Sequence, residues 1–179
     1  MKENMEQYMK RVIVIGGNGS GKTTFSLELA KYLKLPLIHL DRIYWKGNWE
    51  HLSNEEFDSA IMNELIKPQW IIDGNYKRTV ETRLQYCDTV FYFDFSSIAC
   101  LYGSITRTIK NHGKKRFDMG GNCADKFDLE FYHNIILFNK KYRKHYYEML
   151  ENCKDKEIII FKNRKQVENY LKKLSENKV

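Results

Sequence analysis

A chain of 179 residues, with 42% hydrophobic and 30% charged residues, has the size and balance of one globular domain, which we expect to span residues 1–179. Its apolar runs are too short for a membrane-spanning helix and its first ten residues are polar, so we expect a cytoplasmic protein, monomeric or homodimeric. The net charge of +7 favours polyanionic partners, a nucleotide or a nucleic acid, without choosing between them. Because Cys87, Cys100, Cys123 and Cys153 form no C-x-x-C pair, we expect free thiols.

Short apolar segments alternate with segments of helical periodicity along the chain. Strands are predicted at residues 11–15, 37–40, 69–73, 89–93 and 156–161. Helices are predicted at residues 22–35, 53–66, 79–86, 96–111, 127–150 and 164–174. Because helices separate all the strands, the pattern predicts an α/β fold with a parallel sheet between two helical layers. Ligands of such sheets bind beyond the carboxyl ends of the strands, so the residues that follow each strand are site candidates.

The segment between the first strand and the first helix matches the phosphate-binding pattern G-x-x-x-x-G-K-[ST]. Glycines allow the backbone to curl around a phosphate chain, and the helix N-terminus adds a favourable dipole. Lys22 supplies a full positive charge, and the Thr23 hydroxyl is a hard oxygen ligand for Mg²⁺. We therefore expect ATP and Mg²⁺ at this P-loop, which comprises Gly16, Gly17, Asn18, Gly19, Ser20, Gly21, Lys22, Thr23 and Thr24.

Two aspartates follow the second and third predicted strands. Asp73 closes an apolar strand and suits a second contact to Mg²⁺, although an aspartate before glycine is also typical of a plain turn. Asp41 ends the second predicted strand and could orient or deprotonate an acceptor hydroxyl, or simply cap a helix. Arg42, Tyr44 and Trp45 could line the acceptor pocket, although aromatic residues there suit ordinary packing equally well.

A basic stretch surrounds Gly113, and we expect residues 107–125 to form a lid over the phosphates. Phosphoryl transfer needs cations at the developing charge, and Arg107 and Arg116 are the candidates for this role. The alternative is a solvent-facing basic loop. We expect Asp94 and Asp118 to be structural, as helix caps or as ion-pair partners of the lid.

Taken together, these motifs resemble the adenylate-kinase-like branch of P-loop proteins, and more closely the FlaR-like DNA topology modulation proteins. The resemblance rests on residues 15–24, 40–45, 70–76 and 116–119, together with Cys123. It implies the three-layer fold of P-loop nucleoside and nucleotide kinases, with strand order 2-3-1-4-5, a small lid and ATP as the donor. It also implies that the loop after the fifth strand, Lys162 and Asn163 with Arg164, contacts adenine. The sequence departs from adenylate kinases after Gly74, where Asn75 and Tyr76 replace their Phe-Pro-Arg turn, so the acceptor is open.

Two functions follow from these observations. The first is a Mg²⁺-dependent kinase that transfers the γ-phosphoryl group of ATP to a nucleoside, a nucleotide or another small hydroxyl-bearing molecule. The second is an ATP-binding regulator of DNA topology, which the net charge and the family name suggest. The kinase is favoured because the sequence carries a phosphate-binding motif and no helix-turn-helix, zinc-finger or RNA-recognition signature.

Overall fold

The computed structural model describes residues 9–114, 117–121 and 127–176. The predictions for Lys115, Arg116 and Cys123 lie outside these ranges, as does part of the predicted lid. The described residues form β1 (Arg11–Gly16), α1 (Lys22–Leu33), β2 (Leu37–His39), α2 (Leu40–Tyr44), β3 (Trp45–Gly47), β4 (Glu50–His51), α3 (Asn54–Leu65), β5 (Trp70–Asp73), α4 (Lys77–Tyr86), β6 (Thr89–Phe93), α5 (Ser97–Asn111), α6 (Leu129–Glu151), β7 (Glu157–Phe161) and α7 (Arg164–Glu176).

Five strands pair in parallel in the order β2-β5-β1-β6-β7. Numbered as the five strands predicted from the sequence, this order is 2-3-1-4-5, which confirms the predicted fold. The register places Val14 beside Asp73 and Gly16 beside Phe93, so the ends of β1, β5 and β6 lie at one edge of the sheet. The end of β5, which carries Asp73, therefore reaches the edge from which the P-loop leaves.

Side chains of the central strand alternate between two buried clusters, as the period of a strand requires. Ile13 and Ile15 pack on one face, together with residues of α3, α4 and α6. Val12 and Val14 pack on the other face, together with Phe25 of α1 and residues of α5, α6 and α7. The sheet is thus covered by helices on both sides, which completes the three-layer architecture.

The segment after β2 differs from the prediction. The strand ends at His39, and Asp41 lies in the short helix α2 rather than at the strand end. Trp45 then begins a two-stranded antiparallel hairpin, β3–β4, which the sequence analysis missed. These elements are two to five residues long, too short for hydrophobic periodicity to reveal.

Two negative findings apply to the described ranges. No helix there combines the length and the apolar character needed to cross a bilayer. No group of three or more His, Cys, Asp or Glu side chains there is arranged to hold a metal ion. Cys87, Cys100 and Cys153 are free thiols.

Candidate functional site

The P-loop lies between β1 and α1, and close packing against neighbouring elements fixes its path. Gly16 has a φ of 136°, and a Cβ there would lie 2.7 Å from the Cβ of Phe93. Gly19 has a φ of 82°, and a Cβ there would lie 2.8 Å from the backbone nitrogen of Ser104 on α5. Both positions therefore require glycine for its backbone conformation and for its missing side chain.

Lys22 lies in the first turn of α1 with only 8% of its side chain exposed. Its Nζ donates a hydrogen bond to the carbonyl of Gly17 at 3.0 Å, and the Ser20 hydroxyl donates to the same carbonyl at 2.7 Å. Burial lowers the pKa of Lys22, while the negative charges of Asp73 and Asp41 oppose this shift. The ammonium group is therefore held inside the loop, where an anion would restore the solvation that burial removes.

A cavity of about 690 Å³ opens above this loop. The predicted phosphate-binding residues that line it are Asn18, Gly19, Gly21, Lys22, Thr23 and Thr24. Ser20 is almost fully buried and points its hydroxyl back into the loop, so it shapes the loop rather than the cavity. The cavity is large enough for a nucleotide-sized ligand.

Thr23 and Asp73, the two residues expected to hold Mg²⁺, both line this cavity. The Thr23 hydroxyl donates to Oδ2 of Asp73 at 2.8 Å, and Nδ1 of His39 lies 3.2 Å from the same oxygen. One carboxylate and one hydroxyl fit Mg²⁺, which keeps several waters and takes its remaining protein-side ligands from substrate phosphates. The donor set therefore fits Mg²⁺ better than a metal held entirely by side chains.

The turn after β5 joins the P-loop to the acceptor side. The side-chain carbonyl of Asn75 accepts a hydrogen bond from the backbone nitrogen of Gly16 at 2.7 Å. The Tyr76 hydroxyl donates to Oδ1 of Asp41 at 2.7 Å. Arg83 of α4, fully buried, donates to the carbonyls of Gly74 at 2.9 Å, of Asn75 and of Tyr76 at 3.5 Å. One guanidinium thus holds a turn whose side chains contact both halves of the site.

A second cavity of about 250 Å³ lies beside the first. Asp41, Tyr44 and Trp45, three of the residues expected at an acceptor pocket, line it, and Trp49 and Phe131 complete an aromatic wall. Arg42 is exposed and is not among the residues that line either cavity. Four residues line both cavities and mark the passage between them: Asn18, Asp41, Tyr76 and Arg107.

Some of the cations expected from the lid lie within the described residues, and others lie outside them. Arg107 and Lys110 lie on α5 and line the larger cavity. Phe117 and Asp118 line it from the opposite side, and the Phe117 ring meets the His39 ring edge-on at 5.8 Å. The backbone nitrogen of Gly120 donates to the carbonyl of Asp41 at 3.4 Å, so residues 117–121 pack on α2. Arg116 lies outside the described residues.

The loop after β7 contributes differently from what the resemblance implies. Lys162 donates to buried Asp94 at 2.5 Å and to the Tyr147 hydroxyl, and Asn163 accepts a hydrogen bond from the backbone nitrogen of Gln166 in the first turn of α7. Neither Lys162 nor Asn163 lines either of the two cavities, whereas Arg164 lines the larger one and donates to the carbonyl of Gly19 at 3.3 Å. A contact of Lys162 and Asn163 with adenine stays a prediction, and Arg164 is the residue of this loop that reaches the cavity.

Sequence reasoning missed several residues of the site. His39 was assigned only to a strand, and Arg83 to a polar helix, because neither carries a motif. Asn75 and Tyr76 belong to a sequence block on which the resemblance rests and depart from the adenylate-kinase turn, but no contact is predicted for them from the sequence. That departure was the available signal, since a polar pair that replaces a known binding turn at the end of β5 lies at the ligand edge of the sheet.

The fold is similar to that of two solved shikimate kinases. The enzyme from Acinetobacter baumannii, solved in complex with shikimate, gives a TM-score of 0.60 at 16% identity over 96% of both chains. The enzyme from Bacteroides thetaiotaomicron gives a TM-score of 0.53 at 18% identity and covers 94% of this chain and 97% of its own. The sequence matches no protein-family profile and no curated protein. At these identities the similarity concerns the fold, and the chain has the α/β fold of P-loop kinases such as shikimate kinase.

Proposed function

We propose that this protein is an ATP-dependent phosphotransferase that transfers the γ-phosphoryl group of ATP to a hydroxyl group of a small molecule. The observation that carries the proposal is the junction of two cavities at Asp41 and Arg107. One cavity is built around a phosphate-binding loop. The other is smaller, is lined by aromatic residues and adjoins the first. A donor and an acceptor would therefore meet beside one carboxylate and one guanidinium.

The larger cavity would take Mg²⁺-ATP. Backbone amides of the P-loop and the Lys22 ammonium would bind the β- and γ-phosphates. Thr23 and Asp73 would hold Mg²⁺, which supplies positive charge to the phosphate oxygens. His39 would orient the Asp73 carboxylate through the oxygen that both Thr23 and His39 contact. The shared fold of two shikimate kinases supports a kinase, since both are small-molecule kinases by name.

The transfer itself needs little covalent chemistry from the protein. The acceptor oxygen forms a bond to the γ-phosphorus, the bond from that phosphorus to the β-bridging oxygen breaks, and ADP leaves. Asp41 takes the proton of the acceptor hydroxyl, and the Tyr76 hydroxyl holds this carboxylate in place. Arg107 balances charge on the transferred group, because it lines both cavities at their junction.

The alternative, a regulator of DNA topology, has weaker support. The resemblance to FlaR-like proteins rests on four short sequence blocks and Cys123; one block, residues 116–119, extends outside the described residues, and Cys123 lies outside them. Lys140, Lys141, Arg143 and Lys144 form a basic cluster on α6. Within it, Arg143 pairs with buried Asp94 at 2.8 Å and Lys144 lies 3.6 Å from Glu148. Part of that cluster is therefore committed to ion pairs within the fold and is less available to a phosphate backbone.

The test is ATP turnover with a panel of hydroxyl-bearing acceptors. We expect turnover to rise with at least one acceptor. We expect it to fall by about 100-fold in Lys22→Ala, because the ammonium group that stabilises negative charge on the transferred phosphoryl group is lost. Lys31→Ala is the matched control, since Lys31 lies on the same helix, is exposed and forms a surface ion pair with Glu28 at 2.8 Å. Background turnover with every acceptor, or equal loss in both variants, would contradict the proposal.

A further inference from the structure

The smaller cavity has walls suited to a flat ligand. Five rings line it, and neighbouring rings are in contact: Tyr44 and Trp45 at 5.1 Å, Trp45 and Trp49 at 5.3 Å, and Tyr44 and Tyr76 at 5.0 Å between centroids, with Phe131 completing the set. Rings that brace one another in this way present fixed faces. A flat ring stacks on such faces, whereas an aliphatic polyol gains less from them.

The charges around this cavity oppose an anion. Its charged lining residues, within the described ranges, are Asp41, Asp128 and Arg107. Oδ1 of Asp128 accepts a hydrogen bond from the backbone nitrogen of Phe131 at 3.0 Å, which fixes this carboxylate at the start of α6. Arg107 also lines the phosphate cavity, where the negative charge of ATP would compete for it. An acidic acceptor would therefore face two carboxylates with a single, shared cation.

We propose, building on the kinase function above, that the acceptor is a flat, hydroxyl-bearing ring compound without negative charge, of the kind represented by an unphosphorylated nucleoside. The ring packs within the aromatic wall against Trp45 and Trp49, because Tyr44 is already stacked on His51 at 4.9 Å and Arg107 lies 6.0 Å over the Phe131 ring. Its hydroxyl group points to Asp41 at the junction with the larger cavity. Nucleoside monophosphates and carboxylic acids are discriminated against by Asp41 and Asp128.

Tryptophan fluorescence tests this inference without relying on turnover. Two of the three tryptophans, Trp45 and Trp49, line the smaller cavity, and Trp70 is fully buried in the core. The full chain is saturated with Mg²⁺ and a non-hydrolysable ATP analogue, then titrated with nucleosides, their 5′-monophosphates and ring-shaped carboxylic acids. We expect at least one nucleoside to quench the fluorescence and to bind at least about tenfold more tightly than its monophosphate. Tighter binding of a monophosphate or an acid, or no quenching by any nucleoside, would overturn the inference.

Two variants test the stacking face and the negative charge of the smaller cavity separately. We expect Trp45→Ala to weaken nucleoside binding by about tenfold or more, measured by calorimetry, because a stacking face is lost. Tyr102→Ala is the matched control, since Tyr102 is an exposed aromatic residue outside both cavities. Asp128→Asn keeps a good helix cap but removes the charge, so it should narrow the preference for the nucleoside over its monophosphate. Equal effects of Trp45→Ala and Tyr102→Ala, or an unchanged preference in Asp128→Asn, would count against the inference.

Binding and turnover distinguish this inference from the function on which it builds. A nucleoside that quenches fluorescence but is never phosphorylated would contradict the kinase proposal and leave the ligand class standing. Phosphorylation of an acid or a monophosphate in preference to every nucleoside would support the kinase and overturn the ligand class.

Discussion

Arg83 shows how one buried side chain can organise a site that it does not enter. Its guanidinium is fully buried, and its hydrogen-bond partners are the backbone carbonyls of residues 74–76. Burial lowers its pKa to about 10, so the surrounding protein tolerates the charge at a cost in solvation. Arginine suits this place because a planar group with five donors can reach several carbonyls at once, which an ammonium cannot do in fixed geometry.

We expect Arg83→Met to lower kcat by about tenfold or more and the free energy of unfolding by about 3 kcal/mol, because three carbonyls lose a charged donor. Asn75 and Tyr76 would then release Gly16 and Asp41. Steady-state kinetics and urea unfolding measure the two effects. Since kcat is compared at saturating substrate on folded protein, loss of stability alone would leave it unchanged.

Arg78→Met provides the control for that variant, because it makes the same substitution in the same helix. Arg78 is half-exposed and pairs with Asp58 at 2.5 Å on the surface, where such pairs contribute little. Arg83→Lys should retain more activity than Arg83→Met, since a charged donor group remains. A kcat for Arg83→Met equal to that of Arg78→Met would show that the turn does not depend on this guanidinium.

If the protein binds ATP as proposed, we expect that binding to depend on pH through Lys22. Burial lowers its pKa from the ordinary value of 10.5, so the folded chain releases this proton at a lower pH than the unfolded chain does. The stability of the ligand-free protein therefore gains a contribution as pH rises toward 10.5, because the buried charge disappears. ATP needs the ammonium, so its affinity should fall over the same range. Calorimetric titration of a Mg²⁺-ATP analogue at increasing pH measures this effect.

The same titration in Lys22→Met should show weak binding whose pH dependence is much flatter. This control matters because the thiol of Cys100 lies close to the loop and burial raises its pKa above the ordinary value of 9.0. If the pH dependence of wild type persists in Lys22→Met, another group such as Cys100 is responsible.

At the scale of elements, α5 is pressed against the P-loop through two glycines. A Cβ at Gly103 would collide with the carbonyl of Gly19 and with the Arg164 guanidinium, and a Cβ at Gly19 would collide with α5 in turn. The helix therefore limits how the P-loop can pack against it. It also carries Arg107, which lies about one turn after Gly103, at the cavity junction. Close packing transmits any displacement of α5 to the phosphate-binding amides.

We expect Gly103→Ala to weaken binding of the ATP analogue by about tenfold, because the loop must move to admit a methyl group. Alanine is the better helix former by about 1 kcal/mol, so a loss of affinity without loss of helix would point to the loop contact. Fluorescence or calorimetric titration, with circular dichroism for helicity, measures both. Tyr102→Ala, one residue earlier on an exposed face, should bind normally, and equal binding by Gly103→Ala would refute the contact's importance.

The elements also show what sequence patterns could and could not reveal. The long helices and buried strands were predictable because their periodicity extends over enough residues, and the P-loop because its glycines and Lys22 stand at fixed spacing. Helix α2 and the β3–β4 hairpin were not, since tertiary packing rather than local pattern decides such short segments. Their absence from the prediction put Asp41 at a strand end instead of in a helix.

The burial of Arg83 illustrates a second limit. A polar helix such as α4 gives no sign of which of its charged residues faces inward, and Arg83 lies beneath the turn only because the helix packs against the sheet. The second cavity was likewise invisible, because its rings come from α2, the hairpin, the turn after β5 and α6. Sites assembled from distant segments require the fold before they can be recognised.

At the scale of the whole molecule, some of the basic residues form ion pairs inside the fold and others line the larger cavity. Asp94 accepts hydrogen bonds from Arg143, Tyr147 and Lys162, which ties α6 to the loop after β7 behind the P-loop. Other basic residues, Lys22, Arg107, Lys110 and Arg164, line the larger cavity together with three aspartates. Positive charge is therefore directed into a cleft that suits a triphosphate.

Because four residues line both cavities, we expect the phosphoryl donor and the acceptor to bind at the same time. Each ligand should then add to the stability of the folded protein. A ligand at 100 times its Kd adds about 2.7 kcal/mol to the stability of the native state, which raises the Tm of a chain this long by roughly 5–10 °C. We expect each acceptor that supports turnover to add a further Tm increase when a Mg²⁺-ATP analogue is already saturating, measured by thermal denaturation. Trp45→Ala should keep the increase from the nucleotide and lose most of the increase from the acceptor, because only the smaller cavity is altered. An acceptor increment that survives in Trp45→Ala, or that vanishes once the nucleotide is bound, would mean that the two ligands do not occupy neighbouring cavities.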